Sequence, residues 1–220
     1  MNGAGLDWLA GLPIGAVLDY ASVLVFALTG ALVASRQQLD VVGFIFIAAL
    51  TAVGGGTLRD LMLGRDPVFW VGRPEFIVLI AAAAILVFFT AHLLESRYRA
   101  LLWLDACALS VAVPAGVAVT LAQGHGPVIV LIMGVVTGSF GGLMRDVVCN
   151  EVPLVLKQGE LYLSCAFAGA GAALVMGAFG LTGLPALIAC GALTFSLRAG
   201  SLRWGWKLPV YKARPPRTRG

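Results

Sequence analysis

The chain has 220 residues, 60% of them hydrophobic and 12% charged, with a mean hydropathy of +0.94. Soluble domains carry about 25% charged residues, so this sequence lacks the polar surface a water-soluble fold of its size needs. Its main solvent is lipid. The net charge of +4 is not a nucleic-acid signature, because five of the 15 basic residues fall in the proline-interrupted tail at 207–220. A tail of that kind suits a cytoplasmic membrane surface.

A membrane-spanning helix takes about 20 mainly apolar residues. In chain order that rule places spans at 13–35, 41–64, 75–95, 101–122, 127–149, 160–179 and 183–200. Short polar breaks separate them, the weakest being Gly180–Thr182. The first Lys or Arg is Arg36, so the first span lacks the basic leader of a cleaved signal peptide and is expected to stay as a helix. Counting basic residues in the loops orients the chain. With the N-terminus outside, the inner side collects Arg36, Arg97, Arg99, Lys157 and the basic tail, while the outer side keeps Arg65 and Arg73. The expected topology is N-terminus out, C-terminus cytoplasmic, in an inner (plasma) membrane.

A gap-free shift of 86 positions aligns the chain with itself. Asp19 falls on Asp105, Gly30 on Gly116, Thr51 on Thr137, Gly55-Gly56 on Gly141-Gly142, Arg59-Asp60 on Arg145-Asp146, and Pro67 on Pro153. Each copy, 13–95 and 101–179, crosses the membrane three times, an odd number. The second must therefore sit upside down relative to the first, as an inverted-topology repeat of the kind that builds solute and ion pathways. The span at 183–200 belongs to neither copy. The expected fold is an all-α integral membrane protein of two inverted three-helix repeats plus a C-terminal seventh helix.

The second span contains Thr51, Gly54, Gly55, Gly56, Thr57, Arg59 and Asp60; the fifth contains Thr137, Gly138, Ser139, Gly141, Gly142, Arg145 and Asp146. Glycine costs about 1 kcal/mol relative to alanine inside a helix. The runs mark places where the helix bends, unwinds or packs very closely. The Arg-Asp pair after each run favours a broken or kinked helix beside a polar pathway. Arg59 and Arg145 lie near span ends, roughly 7 Å deep at 1.5 Å per residue, where snorkelling to the headgroups is the competing reading. Asp19 shares a membrane face with Arg59, and Asp105 with Arg145, so Asp19–Arg59 and Asp105–Arg145 are the expected pairs, one at each mouth of a central passage. Asp60 and Asp146 are expected on another side of their helices, pairing elsewhere, capping or facing water. Asp66, Glu75, Glu151 and Glu160 read as solvated loop or cap residues, and Trp70, Trp103, Trp204 and Trp206 as interfacial anchors.

Cys107, Cys149, Cys165 and Cys190 are scattered, with no C-x-x-C, and His92 and His125 stand alone. Neither a disulfide framework nor a metal site is expected, and no cofactor. No nucleophile–base set or phosphate loop stands out, so an enzyme is not expected.

The duplicated Gly-Gly-x-x-Arg-Asp, the proline after it and the three-plus-three-plus-one helix count resemble the trimeric intracellular cation channel family, in its bacterial branch, over roughly Asp19 to Arg198. The resemblance implies a symmetric homotrimer in membrane lipid. It further implies a hydrophilic pore in each protomer, shaped by second and fifth helices kinked at their glycines, and a monovalent cation, chiefly potassium, as the permeant ion. Phe140 stands where the first repeat has Gly54, which implies a milder second kink, and the animal branch's Lys-Glu-Val stretch is absent. Thr51, Thr57, Thr137 and Ser139 are then candidate oxygen ligands along the pathway. A secondary transporter of a small neutral solute such as glycine is the alternative, and a membrane protein without flux is a third reading.

Overall fold

The computed structural model describes residues 14–94, 96–157, 161–209 and 211. The start of the first expected span at position 13, Glu160 and most of the basic tail, positions 210 and 212–220, lie outside the described residues. Within them the chain forms seven α-helices: α1 Ile14–Arg36, α2 Val41–Met62, α3 Glu75–Thr90, α4 Arg97–Ala122, α5 Pro127–Val148, α6 Leu163–Ala178 and α7 Leu184–Trp204. Six helical segments are long and apolar enough to cross a membrane, α3 counting with the short 3-10 turn Ala91–Leu93 that extends it; the shorter apolar helix is α6. At 16 residues, α6 spans about 24 Å at 1.5 Å per residue, a little less than the ~30 Å hydrocarbon core.

Local chemistry explains the boundaries. The Asp40 side chain caps α2 by accepting from the Gly43 amide at 2.8 Å, and Ser96 caps α4 by accepting from the Arg99 amide at 3.3 Å, each satisfying an orphan donor. That cap starts α4 at Arg97, four residues before the span that hydropathy alone delimits, because the polar turn Arg97-Tyr98-Arg99 is helical but not apolar. α5 opens with Pro127 at its first turn, where no amide is missed. The α6–α7 connection contains Gly180 at φ +80° and Gly183 at φ +70°, left-handed conformations that glycine adopts without a Cβ penalty.

The repeat is visible in the packing. α1 packs on α2 and α3 in the first copy, as α4 packs on α5 and α6 in the second. The copies meet where α1 contacts α4 and α2 contacts α5, and α7 lies against α4 and α6. The C-terminal end of α2 and the N-terminal end of α1 share one membrane face, here face A. The C-terminal end of α5 and the N-terminal end of α4 share the other, face B.

α2 and α5 run through their glycines as unbroken α-helix, so of bending, unwinding and close packing the structure excludes unwinding. Glu151 is not a solvated loop residue: it accepts from Arg36 at 3.0 Å and from Gln37 at 3.1 Å, tying the end of α1 to the loop after α5 on face B.

Candidate functional site

The glycine motifs bring backbones together. A Cβ built on Gly55 would lie 2.3 Å from the Thr137 carbonyl oxygen, and one on Gly141 would lie 2.1 Å from the Thr51 carbonyl oxygen. α2 and α5 therefore cross in direct backbone contact, each presenting a glycine to the other's threonine. The same threonines meet the flanking helices: Cβ atoms on Gly30 and Gly116 would fall 2.6 Å and 2.5 Å from the Thr51 and Thr137 hydroxyls. Gly54 makes room for the Met144 thioether, Gly56 for the Phe69 ring and Gly138 for Val113 and Leu109. Small-residue packing, one of the readings open for these runs, accounts for Gly54, Gly55, Gly56, Gly138 and Gly141.

Thr51, Thr137 and Ser139 are buried and donate to the carbonyls of Ile47, Met133 and Val135 at 2.6–2.7 Å. Their hydroxyl oxygens keep acceptor capacity. Thr57 sits apart. It donates to Val53 and accepts from the Trp70 indole at 3.0 Å, beside an apolar hollow of about 400 Å³ shared with Phe140 and Met144.

At each end of the α2–α5 crossing lies a buried charge cluster. On face A, Arg59 donates from Nη1 to Asp19 at 3.0 Å and from Nε to Asp60 at 2.8 Å. Asp60 also accepts from Arg65 at 3.0 Å and, through Oδ2, from the Phe69 amide at 2.9 Å. On face B, Arg145 donates to Asp105 at 3.4 Å and to Asp146 at 2.7 Å, and Asp146 accepts from the Leu154 amide at 2.9 Å. Neither arginine snorkels: both are fully buried, in cross-helix pairs with the aspartates one repeat-equivalent helix away. Asp60 and Asp146 do not face water either. Each guanidinium curls back over its own helix so that Nε meets the next residue's carboxylate. The second carboxylate oxygen then holds the loop that follows, at Phe69 or Leu154. Asp60→Asn is accordingly expected to speed hydrogen exchange at the Phe69 amide by roughly tenfold, since a weakened buried hydrogen bond opens more often; mass-spectrometric exchange over residues 64–72 would measure it. Each arginine retains an Nη2 with no hydrogen-bond partner among the described residues, so the clusters are paired but not saturated.

The two clusters differ in access. A cavity of about 330 Å³ on face A is lined by Gly15, Asp19, Arg65, Pro67, Arg73 and Phe76, among others. Asp19 is 9% exposed, whereas Asp105 on face B is 0% exposed. The Tyr162 hydroxyl, Asp105 Oδ1 and Arg145 Nη2 converge within 3.6 Å of the position a Gly142 Cβ would take. The repeat equivalent of Tyr162 is Phe76, which has no hydroxyl and stacks on Tyr20 at 4.2 Å.

Three of these residues went unread as site residues in the sequence: Arg65, Tyr162 and Arg198. Arg198, in α7, is fully buried with its guanidinium 5.0 Å from the Tyr162 ring centre. An arginine inside a hydrophobic span is itself the signal. The repeat comparison did not expose Arg198 because α7 lies outside both copies. No group of three or more His, Cys, Asp or Glu arranged to hold a metal occurs among the described residues.

A family described as glycine transporter matches this chain twice, at residues 16–92 and 102–178, two matches displaced by the same 86 positions at both ends. The chain also aligns with a structure described as the trimeric intracellular cation channel orthologue from Rhodobacter sphaeroides, with 46% identity, a TM-score of 0.84, and coverage of 87% of this chain and 98% of that one. The chain belongs to the trimeric intracellular cation channel family. A second structure, from work on conductance through these cation channels, aligns at 26% identity and a TM-score of 0.80 over 91% of this chain and 98% of that one. Curated relatives in this family include the UPF0126 membrane protein of Vibrio cholerae, 35% identical over 89% of this chain and 82% of its own length. Another is the UPF0126 inner membrane protein YadS of Escherichia coli, 34% identical over 88% of this chain and 94% of its own length. Like its family, the chain is a multi-pass membrane protein and not an enzyme.

Proposed function

We propose that this protein is a monovalent cation channel, with potassium as the permeant ion, working as a homotrimer in which each protomer carries its own pathway. The single observation that carries this reading is the cavity at face A that Asp19 helps to line, in a chain 46% identical to a protein described as a cation channel orthologue. The pathway runs from Asp19, past the glycine crossing of α2 and α5, to Asp105. In this structure the two backbones touch at the crossing, so conduction requires α2 and α5 to part or bend at their glycines. The hydroxyls and carbonyls of Thr51 and Thr137 flank that point and are the oxygen ligands a dehydrated potassium ion needs. Pairing with aspartates offsets the arginines at both mouths, which would otherwise repel the ion. Face A is the outer side and face B the cytoplasmic one, because Arg36, Arg97, Arg99 and Lys157 lie at face B.

Purified protein in potassium-loaded liposomes is expected to release potassium when the gradient is opened with an electrical shunt, and Asp19→Asn is expected to slow release several-fold by removing the carboxylate that draws the ion in. Saturable accumulation of labelled glycine in the same liposomes, with no potassium release, would replace this reading with transport.

A further inference from the structure

The mouths are charge-matched by different means. On face A the positive charges are Arg59 and Arg65 and the negative ones Asp19 and Asp60, joined by hydrogen bonds of 2.8–3.0 Å. On face B Arg59, Asp19 and Asp60 recur as Arg145, Asp105 and Asp146, but the repeat equivalent of Arg65 is Glu151. Glu151 is turned away to Arg36 at 3.0 Å. Left to the repeat alone, the face-B cluster would hold two carboxylates and one guanidinium in a fully buried site. Arg198 arrives from α7, the helix outside the repeat. Its guanidinium lies over the Tyr162 ring, and the Tyr162 hydroxyl in turn converges with Asp105 Oδ1 beside Gly142. Its partners include the Leu161 carbonyl, to which it donates at 3.4 Å.

The substitutes differ in exposure. The Arg65 side chain is 34% exposed and sits in a loop; Arg198 is 0% exposed and sits on a helix. Arg65 lines the cavity that Asp19 also lines, whereas Arg198 lies beside Tyr162 at the end of the bundle where Asp105 is fully buried.

We propose that Arg198 sets the cation barrier at the face-B mouth, supplying from α7 the second positive charge that Arg65 supplies from a loop at face A, with Tyr162 positioned between it and Asp105. Arg198 is thus a selectivity-determining residue of the pathway, and α7 is the element that carries it there. The inference rests on the channel reading above.

The test compares potassium efflux and bilayer reversal potential in a potassium chloride gradient for full-length wild type, Arg198→Gln, Arg198→Lys, Asp105→Asn and the double variant Arg198→Gln/Asp105→Asn. Neutralising Arg198 leaves the mouth one charge more negative, so efflux is expected to rise about three- to tenfold and the reversal potential to move toward that of potassium. Arg198→Lys should match wild type, Asp105→Asn should conduct less than wild type, and the double variant should return toward it. A merely structural role would lower efflux in Arg198→Gln and leave the reversal potential in place. If Arg198→Gln does not fold, undiminished efflux in Asp105→Asn overturns the inference. Conducting wild type with unchanged Arg198→Gln overturns this inference alone; silence in both overturns the channel reading with it.

Discussion

Gly141→Ala is expected to cost at least about 3 kcal/mol, at or beyond the upper end of the usual penalty for overpacking, and to show as a large drop in detergent melting temperature. The added methyl would lie 2.1 Å from the Thr51 carbonyl oxygen, and a carbonyl within a helix cannot rotate away without breaking its own hydrogen bond. Relief requires α2 and α5 to separate along the crossing that joins the two repeats. Gly55→Ala should behave alike, with its methyl 2.3 Å from the Thr137 carbonyl oxygen. Gly171→Ala is the control, since nothing lies within 4 Å of its Cβ position and alanine is the better helix former by about 1 kcal/mol. It should leave the melting temperature unchanged or raise it. If all three variants melt alike, backbone contact at the glycine motifs is not what holds the repeats together.

Arg145→Met carries the other large effect. The arginine is fully buried and bonds both Asp105 and Asp146; removing it strands carboxylates in a low-dielectric interior. Breaking one side of such a pair costs about 3–5 kcal/mol, while replacing both sides with apolar groups of similar size is often close to neutral. Asp105→Leu combined with Arg145→Met should therefore recover much of the loss. Asp146 keeps its hydrogen bond from the Leu154 amide in either case. A double-mutant cycle on thermal unfolding measures the coupling; strictly additive losses would mean that the two side chains do not act as a pair.

The history of these residues in the sequence shows what pattern can carry. The 86-position shift places Asp19 with Arg59 and Asp105 with Arg145 because rare charged residues recur at equal depth, and depth follows from counting 1.5 Å per residue along a span. The same counting is silent on direction around the helix. Asp60 and Asp146, adjacent to their arginines, were expected on another face, and only the folded guanidinium reveals that Nε reaches the next carboxylate. Glu151 shows a similar limit. Its partners Arg36 and Gln37 lie more than a hundred positions away, brought near by the packing of the two copies against each other. The glycine runs were ambiguous by nature: a residue without a side chain allows bending, unwinding and close approach alike, and only a neighbouring backbone decides among them.

The sequence by itself determined the membrane location, the number and order of helices, the inverted repeat and the recurrence of two arginine–aspartate sets. All follow from one-dimensional quantities, namely apolar run length, an odd crossing number and a periodic recurrence. The tertiary structure alone decided that α2 and α5 touch through Gly55 and Gly141. It also decided that Asp19 lines a cavity while Asp105 is fully buried, and that Arg198 from an unrepeated helix lies beside Tyr162 at the second cluster. Those facts depend on which helix faces stack on which, and a side chain's neighbours in a bundle come from packing in three dimensions, which no single-helix pattern encodes.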